Sequence, residues 1–125
     1  MSALVIAVAL LAGALGALLR YAASTVFGRA RATLPWAVLL VNVVGSLVGG
    51  VVIGLTQAGV IGADARLIVL SGFAGGLTTF STFSVETVQL TLVGRWRTAL
   101  GSVLANLLLG VAAAVLGFAL AGGFH

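Results

Sequence analysis

The chain has 125 residues, of which 62% are hydrophobic and only 6% charged, with a mean hydropathy of +1.31. Soluble domains carry roughly 25% charged residues, and a fold this small cannot hide so much apolar surface from water. The net charge of +4 comes wholly from arginines thinly spread at the ends of apolar runs, which argues against nucleic-acid binding, and the absence of cysteine excludes disulfides and thiolate metal sites. A single integral membrane domain is what remains.

A helix needs about 20 apolar residues to cross the hydrocarbon core. The first predicted span covers residues 3–26, interrupted only by Arg20 near its end. No basic stretch precedes it, so it reads as a retained helix and not a signal peptide. A polar connector, Gly28-Arg-Ala-Arg-Ala-Thr33, leads to the second span, residues 36–55, with Pro35 suited to its first turn. After a loop holding Gly59, Gly62 and Asp64 comes the third span, residues 67–93, the most polar of the apolar runs. Gly94-Arg-Trp-Arg97 closes it, with Trp96 as an interfacial anchor, and the fourth span runs over residues 98–121. The loops after the first and third spans carry Arg29, Arg31, Arg95 and Arg97, against Arg66 and the offsetting Asp64 on the other side. Positive-inside reasoning puts those two loops in the cytoplasm and both termini outside.

The third span holds the chemistry. Gly75-Gly76 near its middle, followed by Thr78-Thr79, weakens helix continuity, and a break is expected at the glycine pair. The glycines also suit close helix packing; a break at membrane depth instead marks an ion site. Thr78-Thr-Phe-Ser-Thr-Phe-Ser84 then puts five hydroxyls into seven residues. Resumed as helix, it sets Phe80, Phe83, Ser84 and Thr87 on one face. Ring edges are electropositive and can face a small dehydrated anion, although a Phe pair at this spacing also packs. Asn42, inside the second span, must be paired, either by an ion or as glue between helices. Glu86 is the only acid within a span, with Arg20 its expected partner or else a boundary anchor. Ser102, Asn106 and Gly110 form a stripe on the fourth. No nucleophile triad, metal-ligand cluster, phosphate loop or acid/base pair is present, so no enzyme is expected. A small multidrug-resistance-type proton-coupled antiporter is the alternative, but it requires an acid in the middle of the first helix, and residues 3–19 contain none.

Three stretches carry a family likeness: Gly13-Ala-Leu-Gly-Ala-Leu-Leu-Arg-Tyr21, Val41-Asn-Val-Val-Gly-Ser46, and Gly72-Phe-Ala-Gly-Gly-Leu-Thr-Thr-Phe-Ser-Thr-Phe-Ser84. Through them the chain resembles the CrcB/Fluc family of fluoride channels over essentially its full length. The resemblance implies an all-α membrane protein of four transmembrane helices, the third broken, assembled as an antiparallel dimer with two fluoride pathways. It implies passive fluoride export across the plasma membrane, relieving fluoride toxicity. By position, Asn42, Phe80, Phe83, Ser81 and Thr82 match the family's fluoride pathway, and Asn106 lies on its fourth-helix polar track. The carbonyls of Gly75 and Thr78 match those that hold a central structural sodium ion, and Arg20 matches the vestibule arginine. Ala37-Val38 stands where Gly-Thr is common, and Ser102 and Asn106 stand where a tyrosine and a serine are expected. The second subunit is either another copy or an oppositely oriented homologue, and the arginine bias of the loops favours the homologue, because one sequence inserting both ways needs little bias.

Overall fold

In hydrocarbon an unpaired backbone amide costs several kcal/mol, and a helix is how one segment pairs its own. The computed structural model describes residues 2–27 and 36–122, and every regular element among them is helical. Arg29, Arg31 and Pro35 lie outside the described residues. Among the described residues three helices are long and apolar enough to cross a membrane: α1 (Ala3–Phe27), α2 (Trp36–Gln57) and α6 (Trp96–Leu120). Of their most apolar stretches, 44% of the α2 stretch is buried, against 6% in each of α1 and α6. The second helix is therefore the core about which the others pack.

Between α2 and α6 the chain is helical in pieces. A short α3 (Ala63–Arg66) runs without interruption into a π-helical stretch (Leu67–Ala74) and then α4 (Gly75–Leu77), and after Thr78 and Thr79 the chain resumes as α5 (Phe80–Leu92). The interruption therefore falls at the threonine pair and not at Gly75-Gly76, which stays helical. Thr78 is extended (φ −79°, ψ 156°).

The glycines explain why. A Cβ on Gly76 would run into the backbone of Gly13, one on Gly72 into that of Ala9, and one on Gly16 into Phe73 and Leu77. These residues let α1 and the third segment touch backbone to backbone, as small residues do between membrane helices. Gly75 is exposed, with only the Leu70 carbonyl within 4 Å of a would-be Cβ. The small residues of α2 divide in the same way. Gly45 sits against the Thr78 side chain and Gly49 against Leu70, whereas Gly50 meets the backbone of Ala114 on α6. Gly94 (φ +83°) ends α5 with the N–H of Arg95 bonded to the Leu90 carbonyl and its own N–H to Thr91, a left-handed cap that turns the chain into α6.

Candidate functional site

With Thr78 extended, the backbone leaves helical register, and its polar groups need other partners. The Ala74 carbonyl accepts both the N–H and the Oγ1 hydroxyl of Thr78, each at 3.0 Å. The next N–H, that of Thr79, donates to Asn42 Oδ1 on α2 at 3.0 Å. In return Asn42 Nδ2 donates to Asn106 Oδ1 on α6 at 3.1 Å and makes a longer contact, 3.4 Å, with the Thr79 carbonyl. Asn106 Nδ2 donates to the Ser102 carbonyl at 2.8 Å. One partly buried chain of hydrogen bonds thus joins the helix interruption to both neighbouring helices. Both backbone ends of it, at Thr79 and Ser102, are buried.

A cavity of about 480 Å³ opens on this chain, lined by Asn42, Ser46, Thr78, Thr79, Phe80, Phe83 and Asn106 among others. The rings of Phe80 and Phe83 are tilted by 48° with centroids 6.2 Å apart. Thr79 and Phe80 both border the cavity, so it lies beside the N-terminal end of α5, the end of a helix that carries positive partial charge. Among the described residues no acid lines it. Amide N–H groups, ring edges and a helix N-terminus make a surface of positive partial charge, which suits an anion.

The structure thus brings Asn42, Phe80, Phe83 and Asn106 around one space. It sets Arg20 apart, on a second cavity of about 190 Å³ shared with Tyr21, Ser24, Ala37, Val38 and Thr79. From there Arg20 Nη1 reaches the Thr78 carbonyl at 3.4 Å. It does not pair with Glu86, whose Oε2 is buried on α5 without a hydrogen-bond partner. Ala37 and Val38 face the arginine cavity, so a hydroxyl there would act on that side of the interruption and not beside the amides. The side chains of Ser81 and Thr82 lie outside what the structure describes. Among the described residues no group of three His, Cys, Asp or Glu side chains could hold a metal.

Sequence reasoning missed Thr79. It borders both cavities and bonds Asn42 through its N–H and its carbonyl. The available signal was the Thr-Thr pair: two β-branched residues, each offering a hydroxyl as an alternative partner for freed backbone.

Fold and site together define a multi-pass helical membrane protein with a donor-lined cavity beside an interrupted helix. Comparison places it further: the CrcB family, described as CrcB-like protein, Camphor Resistance (CrcB), matches residues 7–118, and the chain belongs to that family. It is 44% identical over 112 residues to the fluoride-specific ion channel FluC 1 of Thermobifida fusca, covering 89% of this chain and 90% of that one. It is 42% identical over 113 residues to FluC of Thermus thermophilus, covering 90% of each chain. With FluC of Saccharophagus degradans the identity is 41% over 111 residues, covering 88% of this chain and 84% of the other.

Proposed function

We infer that this chain is a subunit of a fluoride-selective channel, not an enzyme, which lets fluoride leave the cell passively across the plasma membrane and so relieves fluoride toxicity. The observation that carries this is the joining of Asn42, Asn106, Phe80 and Phe83 around one cavity, in a family whose relatives are named fluoride-specific ion channels. Fluoride is small and holds its water tightly, so a narrow path must replace that water with donors and still let the ion go. The Asn42 and Asn106 amides offer N–H groups, the α5 N-terminus offers backbone N–H groups, and the Phe rings offer edges that hold an anion more weakly than a lysine would. Ser81 and Thr82 extend the path with hydroxyls, and Arg20 draws anions into the vestibule.

The cavity supports a paired assembly. Phe80 is 80% exposed on the single chain, beside amides that hydrocarbon would penalise. A second four-helix subunit, antiparallel to the first, covers this surface and gives two pathways along the seam. In this assembly residues 63–92 form the third, interrupted crossing. The second subunit is either another copy or an oppositely oriented homologue. Gly75 and Thr78 suit a structural sodium ion in kind: their carbonyls are the neutral oxygens a hard cation takes, and Gly75 is uncovered. One chain offers too few such oxygens, so the site is complete only with the second subunit's. A cation held there would offset the cost of bringing an anion to the membrane centre.

The proton-coupled antiporter is disfavoured because its acid is missing from α1, and Glu86 does not line the donor cavity. Fluoride efflux from liposomes decides between them. Wild type should release fluoride without a proton gradient, and Phe83→Ile should slow release while leaving assembly intact. No fluoride flux from any subunit pairing would sink the channel reading.

A further inference from the structure

An asparagine amide has a donor end and an acceptor end, and here the surroundings fix which end faces which neighbour. The Thr79 N–H can only donate, so Asn42 must present Oδ1 to it, at 3.0 Å. The Ser102 carbonyl can only accept, so Asn106 must present Nδ2 to it, at 2.8 Å. With both outer ends settled, the inner contact has one possible sense: Asn42 Nδ2 donates to Asn106 Oδ1, at 3.1 Å. The two amides therefore lie in series, every hydrogen bond pointing from the interruption toward α6.

Each amide has two N–H hydrogens, and this series uses one of each. The second contact of Asn42 Nδ2 is the Thr79 carbonyl at 3.4 Å, and that of Asn106 Nδ2 is Ser102 Oγ at 3.5 Å. Both exceed the usual range of about 2.7–3.2 Å for such bonds. The firm bonds orient the amides, and the long ones are easily exchanged for a better acceptor. Both side chains border the same cavity. We propose that Asn42 and Asn106 work as one unit, a polarised amide pair that presents two loosely held N–H donors to a single small anion. Asn106 is a positioning residue as well as a donor, since Ser102 orients it and it orients Asn42.

Distances decide against the opposite role, in which Asn106 would be a latch occupying the donor that the anion needs. A latch would have to yield its 3.1 Å bond, whereas a longer contact stands ready on the same nitrogen. In-line bonds also polarise one another and so strengthen the remaining donors. A serine hydroxyl at position 106 is shorter, rotates freely and could not carry the series from Asn42 to the Ser102 carbonyl.

The proposal rests on the anion-channel reading, and its test separates the two. The sequence contains two asparagines, 42 and 106, so labelling of asparagine with ¹⁵N at the side-chain amide, in the channel in micelles, reports these two NH2 groups. On titration with sodium fluoride, both amides should shift with one common midpoint, and sodium chloride at equal concentration should move neither. In liposomes Asn106→Leu, similar in size without the amide, should reduce fluoride efflux by up to about tenfold, the effect of one lost hydrogen bond. The Asn42→Ala/Asn106→Leu double variant should then be no slower than Asn42→Ala alone. Losses that multiply independently, faster efflux in Asn106→Leu, or a response of only one amide would each overturn the pair. If Asn106→Leu does not assemble, the wild-type titration decides alone. Absence of fluoride flux in the wild type would instead overturn the channel reading.

Discussion

Gly76→Ala offers a direct test of how α1 is seated against the interrupted segment. A Cβ at this position would lie 2.8 and 2.9 Å from the carbonyl carbon and Cα of Gly13, with the Gly13 carbonyl oxygen nearer still. Every obstacle is backbone, so no side chain can rotate out of the way. Ordinary contact starts near 3.4 Å, and α1 must therefore retreat by about half an ångström or more along a seam that Gly13, Gly16 and Gly72 also keep tight. Overpacking of this kind costs roughly 1–3 kcal/mol. Replacing glycine by alanine inside a helix returns roughly 0.5–1 kcal/mol, so the net loss is on the order of 1–2 kcal/mol. Gly101→Ala is the matched control, since it lies inside α6 with nothing within 4 Å of its would-be Cβ and makes the same propensity gain. Thermal unfolding of the purified protein in detergent should show Gly76→Ala melting several degrees below wild type and Gly101→Ala at or above it. Equal melting temperatures for the two variants would refute the backbone-to-backbone seam.

Three further outcomes follow from the same geometry. Arg20→Gln should slow fluoride efflux only a few-fold and leave thermal stability nearly unchanged, because the 3.4 Å contact with the Thr78 carbonyl is long and the guanidinium stands on the smaller cavity; a melting temperature lowered as far as in Gly76→Ala would show the contact to be structural. Glu86→Gln should leave thermal stability unchanged or slightly raised, since the carboxyl Oε2 is buried without a hydrogen-bond partner and its replacement breaks no bond there; a clear fall would refute that placement. Expressed alone with a topology tag at each end, the chain should insert mainly one way, with the loops holding Arg29, Arg31, Arg95 and Arg97 in the cytoplasm; equal populations of both orientations would remove the case for an oppositely oriented homologue.

The long helices were legible because hydrocarbon imposes a simple rule on composition. The apolar runs beginning at Ala3 and Trp36 appear as α1 and α2, and the fourth begins two residues before its predicted start at Thr98. The position of the interruption was not legible, because it depends on packing between segments far apart in sequence. Gly75-Gly76 has the weaker intrinsic helix preference, but α1 presses on Gly76 and holds that turn helical. The threonine pair breaks instead, and it can do so because the Thr78 hydroxyl and Asn42 take up the freed groups. The same dependence hid Thr79. Its role is carried by backbone atoms, which no residue type announces. Asn42 and Asn106 were each visible as costly polar groups in apolar helices, but their relation was not. It arises because α2 and α6 cross closely where Gly50 and Gly117 allow backbone contact.

The Thr78 carbonyl connects the two sides of the interruption. It is the group that Arg20 approaches from the smaller cavity, and in the proposed assembly it is also one of the two carbonyls that would face a central cation. A carbonyl oxygen has two lone pairs, and a guanidinium at 3.4 Å claims one of them only weakly, so the oxygen keeps acceptor capacity for a second partner. The arrangement also orders the charges on the two sides of the interruption. Arg20 places a full positive charge on one side of Thr79, where in the proposed channel anions would gather, while beyond Thr79 the cavity offers only partial charges, from amides, ring edges and the α5 N-terminus. A full charge inside the narrow region would bind fluoride too firmly for release, and partial charges alone at the entrance would not concentrate it. Thr79, bordering both cavities, marks the point at which an ion would exchange the first environment for the second.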